Sequence, residues 1–214
     1  MRFLDLKYLI ILLTLIACRN ENDKPEPVQI QIEEIFELQN FPLNVGDSWV
    51  YKRLNLNDST IDTVSILISN ISNLTNDSTL IKTQLNANNA LDSGYFVIYD
   101  SVLTFNNNPN SSNFAYLDFK LKFPLDSGNK WIGFKIVDTV KVVDSYQLDS
   151  FNNISLPQKK VFDISSEYQI PNSSAGYNMS LSPDVGITYM IYGYFNPPFY
   201  IRYEMSLIDY NVNI

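Results

Sequence analysis

Leu117-Asp118-Phe119-Lys120-Leu121-Lys122-Phe123 sets an apolar side chain at every second position and a charged one between. Side chains of a β-strand point alternately to its two faces. This period of two therefore predicts a strand with Leu117, Phe119, Leu121 and Phe123 on a core face and Asp118, Lys120 and Lys122 in water. Ile201, Tyr203, Met205 and Leu207 alternate with Arg202, Glu204 and Ser206 in the same way. Val64/Ile66/Ile68, Tyr95 to Phe105, Ile132 to Val143, Val161 to Tyr168 and Ile187 to Tyr194 also read as strands, rich in β-branched and aromatic residues. Asn, Asp, Ser, Gly and Pro cluster between them at 106–113, 125–130, 152–157, 171–176 and 196–198. Short turns between strands imply antiparallel pairing. The expected fold class is all-β, an antiparallel meander forming a strongly curved sheet, half-barrel or sandwich after an N-terminal signal helix. Only Ile30 to Leu38 (IQIEEIFEL) reads equally as strand or short helix.

Both tryptophans of the chain fall in one repeated phrase. Phe41-Pro42-Leu43-x-x-Gly46-x-x-Trp49 matches Phe123-Pro124-Leu125-x-x-Gly128-x-x-Trp131, 82 residues further on. Pro ends pairing of the preceding segment, Gly supplies a positive-φ turn, and Trp opens the next strand. A buried Trp is usually core, so the phrase reads as two equivalent strand-entry corners before two aromatic ligand platforms. No linker separates the repeats. Residues 29–214 are thus expected to form a single β domain of two similar halves, with the phrase at 41–49 and 123–131.

The N-terminus carries a different pattern. Arg2 and Lys7 precede a short apolar run, Tyr8 to Ala17, and Cys18 follows. That run is too short to span a bilayer, which takes roughly 20 apolar residues, but it suits a secretory signal. Leu15-Ile16-Ala17-Cys18 resembles the lipobox of bacterial lipoproteins. The resemblance implies that residues 1–17 are a cleaved signal peptide and that Cys18 receives a diacylglyceryl thioether and an N-acyl chain such as palmitate. Several chains together anchor stably, at ~0.8 kcal/mol per buried methylene. Residues 18–28, polar and acidic with two prolines, read as a flexible tether. Residue 19 is not Asp, which by the same resemblance permits outer-membrane transfer. Glu21 and Asp23 loosely fit a surface-export signal or are a solvated linker, so the periplasmic or cell-surface side stays open.

Composition excludes more than it assigns. The chain has 15 basic and 23 acidic residues, a net charge of −8, which argues against nucleic acid and against electrostatic docking to anionic lipid. With Cys18 the single cysteine, no internal disulfide can form. There is no histidine, hence no Ser-His-Asp arrangement and no ordinary zinc site. Ser127-Gly128-Asn129-Lys130 fits Ser-x-x-Lys, but it lies in a predicted turn and lacks the downstream motifs. Asp58, Asp62 and Asp77 show no calcium-loop spacing. No catalytic residue, metal or dissociable cofactor is expected, and the chain is read as not an enzyme.

Two surface patterns remain. Asp-Ser/Thr followed by an aliphatic residue or Thr occurs five times, and resembles the O-glycosylation sequon of Bacteroidota envelope proteins. That resemblance implies Ser59, Thr63, Ser78, Ser101 and Thr139 as acceptors, although turns favour Asp-Ser/Thr in any case. Around Pro197-Pro198 the tyrosine-rich last third predicts an exposed aromatic patch of Phe195, Phe199 and Tyr200, against the alternative of cross-strand aromatic pairing. The FPLxxGxxW phrase, with Ser182-Pro183-Asp184-Val185-Gly186-Ile187, resembles uncharacterised Bacteroidota outer-membrane lipoproteins, some similar in architecture to lipoprotein-carrier half-barrels. The resemblance implies a lipid-anchored envelope protein at the outer membrane and no catalytic residues. The expected function is a non-catalytic binding module for an apolar ligand or a protein partner, and the unknown partner is a protein, a glycan or an apolar ligand. The alternatives are a surface scaffold subunit with a filled core and a carboxylate-dependent hydrolase. An open or packed concave face distinguishes the first two.

Overall fold

A computed structural model of the chain describes residues 35–75, 77–107, 117–133, 139–170, 173–196 and 199–213. The signal segment, Cys18 and the tether at 18–28 lie outside them. Among these residues a 3-10 turn, Leu38–Asn40, precedes fourteen strands. These are β1 (Ser48–Asn55), β2 (Ile61–Thr75), β3 (Ser78–Ala87), β4 (Ala90–Tyr99), β5 (Val102–Asn107), β6 (Phe119–Lys122), β7 (Lys130–Ile132), β8 (Thr139–Gln147), β9 (Ser150–Phe151), β10 (Ile154–Ser155), β11 (Lys160–Ile170), β12 (Ser173–Ser182), β13 (Gly186–Asn196) and β14 (Phe199–Asn211).

Twelve strands make one antiparallel sheet in the order β6-β5-β4-β3-β2-β1-β14-β13-β12-β11-β8-β7, and β9 pairs only with β10. The all-β meander is as expected, and the twelve strands form a single curved sheet in place of a sandwich. Six strands step outward from β1 to β6. Six more step inward from β7 to β14, which pairs with β1. The two edges then meet. The Trp131 indole N–H of β7 donates to the Lys120 carbonyl of β6 at 3.0 Å, and Lys120 Nζ donates to the Gly133 carbonyl at 3.1 Å. Side chains thereby bridge the seam that backbone pairing leaves open, and the sheet is a nearly closed barrel. Closure covers edge groups that would otherwise template aggregation.

Turn chemistry fixes the meander. Asn88-Asn89, Asp100-Ser101 and Asn152-Asn153 each place two consecutive residues at positive φ. They join strands whose flanking residues pair directly, Ala87 with Ala90, Tyr99 with Val102 and Phe151 with Ile154. Such two-residue turns match the right-handed twist of a hairpin. The stretch Tyr95 to Phe105 is therefore two strands, not one. Asn106 and Asn107 continue β5, and residues 173–176 belong to β12, so those turn clusters are shorter than the composition suggests. Ile132 to Val143 also divides, into β7 and β8, with 134–138 outside the described residues. Of Ile30 to Leu38, the described part is neither long strand nor helix. Phe36 forms an isolated bridge to Leu125, and the 3-10 turn follows.

The repeated phrase is a structural repeat. Gly46, at φ +96°, donates its N–H to the Ile68 carbonyl at 3.0 Å, and Ile68 donates back to Asp47 at 2.9 Å. Gly128, at φ +82°, does the same with Val142 at 3.3 Å, and Val142 donates to Asn129 at 3.0 Å. Trp49 stands opposite Ile66 and Trp131 opposite Val140. Each Gly lets its loop turn so that the Trp strand pairs with the strand after it. The Trp49 indole donates to the Val185 carbonyl at 2.6 Å. The phenylalanines of the two phrases also touch, with ring centroids 6.2 Å apart. Phe36 packs on Phe41, Phe123 and Phe162 at 5.5–6.2 Å. These rings plug the barrel at the end where β1 begins.

Candidate functional site

The described barrel interior is occupied by side chains. Inward positions of β4, β5, β6 and β12 carry Phe96, Phe105, Phe119 and Tyr177, with successive ring centroids 4.8, 5.4 and 6.3 Å apart. The last contact crosses the seam, and the Tyr177 hydroxyl donates to the Lys120 carbonyl at 2.9 Å. Met179, Met190 and Met205 are buried in the same core. Adaptable thioethers suit an interior of such irregular aromatic surfaces. Outward positions are mixed, with Lys52, Thr63, Ser65, Lys141, Ser165 and Glu204 beside exposed Ile61, Leu67 and Leu91. An interior filled with apolar side chains is the reverse of the polar lumen of a membrane-spanning β-barrel. No helix among the described residues is long and apolar enough to cross a membrane.

One charged pair lies inside. Arg53 continues the inward series Trp49, Tyr51, Arg53 and is 5% exposed. Directly opposite on β2 stands Asp62. Arg53 Nε donates to Asp62 Oδ1 at 2.9 Å and its terminal nitrogen to Oδ2 at 2.5 Å. Asn88 Nδ2 donates to the same carboxylate at 3.0 Å, and the guanidinium carbon sits 4.9 Å from the Tyr203 ring centroid. Burial works against the charged guanidinium, but the hydrogen bond to Asp62 and the neighbouring Tyr192 outweigh it and raise the Arg53 pKa. Burial also raises the pKa of the Tyr192 hydroxyl far above its ordinary value, against the opposing influence of Arg53. A bidentate, ring-stacked arginine suits a low-dielectric setting. Sequence reading missed Arg53, though its position two residues beyond Tyr51 on an alternating strand was a sufficient signal.

Room for another molecule opens on the outside. A cleft of about 370 Å³ is lined by Lys52 and Leu54 of β1, Ile61 of β2, Asn152, and Glu204, Ser206 and Ile208 of β14. The β9–β10 hairpin forms one wall. Its Asn152 amide donates to Ser206 Oγ at 2.7 Å and to the Leu207 carbonyl at 3.0 Å, and Phe151 lies 6.5 Å from the Tyr189 ring. Ile61 and Ile208 remain 60% and 45% exposed. The cleft thus joins an apolar floor to one cationic and one anionic wall.

The residues singled out from the sequence are spread apart. Ser59 and Ser101 are exposed at positive φ in the β1–β2 and β4–β5 turns. Thr63 and Thr139 are exposed on the outward face, and half-buried Ser78 shares a 2.7 Å hydrogen bond with Thr75. Asp58 accepts from the Thr60 hydroxyl and N–H, which lower its pKa. Asp62 is committed to Arg53, and Asp77 lies in the β2–β3 turn, so the three aspartates form no group. Among the described residues no three metal-ligating side chains cluster. Ser127 and Lys130 lie in the exposed corner before Trp131. Tyr200 is 44% exposed. The side chains of Phe195 and Phe199 lie outside the described part, as do Pro197 and Pro198.

No family model matches the chain, and no curated protein matches it in sequence. Similar solved structures include a presumed lipoprotein from Parabacteroides distasonis, at 10% identity over 80% of this chain and 98% of that one, with a TM-score of 0.42. Another is a presumed exported protein with a YmcC-like fold from Bacteroides fragilis, at 9% identity, the same coverages and a TM-score of 0.47. At such identities and scores neither likeness speaks to chemistry.

Proposed function

We propose that the chain is a non-catalytic, lipid-anchored envelope lipoprotein that works from the outside of its barrel, holding a protein partner in the cleft between the β9–β10 hairpin and strands β1 and β14. The observation that carries this reading is the aromatic filling of the described interior, which favours a scaffold or interaction subunit over an apolar-ligand carrier. The Leu15-Ile16-Ala17-Cys18 lipobox supports the anchor and an outer-membrane location. An apolar floor between Lys52 and Glu204 suits an extended peptide segment that presents an aliphatic side chain flanked by charges of both signs.

Native mass spectrometry of the protein released from membranes tests both parts. The expected mass is that of the chain from Cys18 onward plus its covalent acyl groups. A second, non-covalent lipid retained with the chain would overturn the filled-interior reading, and an unmodified Cys18 would overturn the anchor. A photo-crosslinking residue at Ile208 is expected to capture one partner in cells, and Leu54→Arg should abolish that product. Capture unaffected by Leu54→Arg would remove the cleft as the contact.

A further inference from the structure

The cleft floor lies at a break in the sheet. Pairing of β13 with β14 ends at Tyr189–Ser206. On the other side of β14 the register jumps from Val50–Asp209 to Tyr51–Leu207, so Ile208 is the extra residue of a bulge. A bulge disrupts the ladder and leaves its extra residue unpaired. At this break the Leu207 carbonyl accepts from Asn152 Nδ2 at 3.0 Å, and the same nitrogen donates to Ser206 Oγ at 2.7 Å. Asn152 stands at φ +48° in the two-residue turn of the β9–β10 hairpin. Turn geometry accounts for an asparagine there, but not for its amide reaching across to β14. The hairpin pairs with no other strand, and two strands alone are marginally stable. Its base is fixed, since Leu156 is 1% exposed and Leu148 donates its N–H to the Lys159 carbonyl at 2.9 Å. Its tip is exposed and rests on β14 through the Asn152 amide.

We infer that Asn152 is an autoinhibitory latch on the cleft. Its carboxamide holds the place of a backbone N–H of the partner's extended segment, which displaces it on entering. This rests on the reading of the cleft as a peptide site and adds how that site is regulated. A carboxamide N–H and a peptide N–H are the same kind of donor, so the exchange at the Leu207 carbonyl is close to neutral in hydrogen bonds. The occupant's gain must come from elsewhere. An aliphatic side chain against Leu54, Ile61 and Ile208 supplies it by burial, and charges set against Lys52 and Glu204 add to it. A segment that offers hydrogen bonds alone gains nothing over Asn152. The latch therefore screens out polar chains and admits one with an apolar side chain between charges of both signs.

The test compares the mature lipoprotein, solubilised in detergent, with two variants. Asn152→Gly keeps the positive-φ turn and removes the amide. Asn152→Asp sets an acceptor against the Leu207 carbonyl. The probe is an acetylated Glu-Ile-Lys peptide amide carrying fluorescein, read by anisotropy. Both variants should bind it roughly tenfold more tightly than the parent, the factor that two such hydrogen bonds supply together. Adding Leu54→Arg to Asn152→Gly should abolish that binding, which places the probe in the cleft. Amide exchange followed by mass spectrometry should quicken at Ser150 to Ser155 in both variants and stay unchanged in β1 and β14. Unaltered exchange at the hairpin, or weaker binding by Asn152→Gly, would overturn the latch. Equal binding by all three proteins would overturn the latch and leave the cleft standing. Quickened exchange with no binding by any of them would overturn the cleft, and the inhibition with it.

Discussion

Separating the two members of the buried pair should cost far more than removing both. Arg53 and Asp62 side chains are only 6% and 14% exposed, so each relies on the other in place of water. Asp62→Leu leaves a guanidinium without its counter-charge under the Tyr203 ring. Arg53→Met leaves a carboxylate whose remaining described donor is Asn88. Breaking a buried pair from one side typically costs about 3–5 kcal/mol, whereas exchanging both partners for apolar groups is often near neutral. The Tyr203 stacking adds about 0.5–2 kcal/mol to the arginine side alone. Arg53→Met/Asp62→Leu should therefore lose no more than either single variant, a coupling of at least about 3 kcal/mol. Equilibrium urea unfolding of the four proteins measures it, provided the slopes agree. Single-variant losses that add within about 0.5 kcal/mol would show that the two side chains act independently, and the ion pair would then not hold β1 against β2 beneath the cleft.

Alkaline pH should unfold the chain through Tyr51 and Tyr192, whose hydroxyl pKa values burial drives far above the ordinary tyrosine value. The native state keeps those protons while the unfolded state sheds them near pH 10, so stability is intact below that pH and falls above it. At one pH unit higher the pair costs about 3 kcal/mol, and Tyr51→Phe should halve the loss in pH-dependent urea melts. Gly193→Ala should be the harshest glycine substitution, because its Cβ would lie 2.4 Å from the Ile201 carbonyl, whereas Gly128→Ala meets no atom within 4 Å and costs only its positive-φ strain, about 1 kcal/mol. Thermal melts that rank the two the other way would contradict the close β13–β14 approach. Asp47 is wholly buried and accepts from the N–H groups of Asn44 and Asn213 at 2.7 and 2.8 Å. Asp47→Ala should free the C-terminal residues, seen as faster amide exchange at Asn213, with a stability loss of about 1–3 kcal/mol.

Much of the barrel was legible because period-two alternation is strongest where one face is buried and the other wet. Leu117 to Phe123 and Ile201 to Leu207 showed it plainly, and both lie in or beside β6 and β14. The β3–β4 hairpin was not legible. Its turn, Asn88-Asn89, lacks the glycine that usually announces such a turn, and Leu80, Leu91 and Tyr95 point outward and blur the alternation. Asp100-Ser101 hid in the same way inside an apolar run. Closure was beyond sequence reading altogether. It depends on Trp131 and Tyr177 reaching a single carbonyl, that of Lys120, from strands far apart in the chain. The repeat showed itself as a phrase, but only the paired bonds of Gly46 with Ile68 and Gly128 with Val142 reveal that both copies perform one task.

Electrostatics shows the same division between what a sequence states and what pairing decides. Lys130 and Lys141 are unremarkable along the chain, one preceding buried Trp131 and the other lying between buried Val140 and Val142. Antiparallel register, set by the inward side chains Trp131 and Val140, brings them face to face. A one-residue slip would turn Lys130 into the core and Trp131 into water, so the hydrophobic pattern that builds the barrel also fixes that lysine pair. The cleft follows from the same logic, since Lys52 and Leu54 line it because Tyr51 and Arg53 must face in. Surface chemistry in this fold is therefore a dependent property of core register. Its functional residues should be sought at the outward neighbours of the buried ones, and not in a contiguous motif.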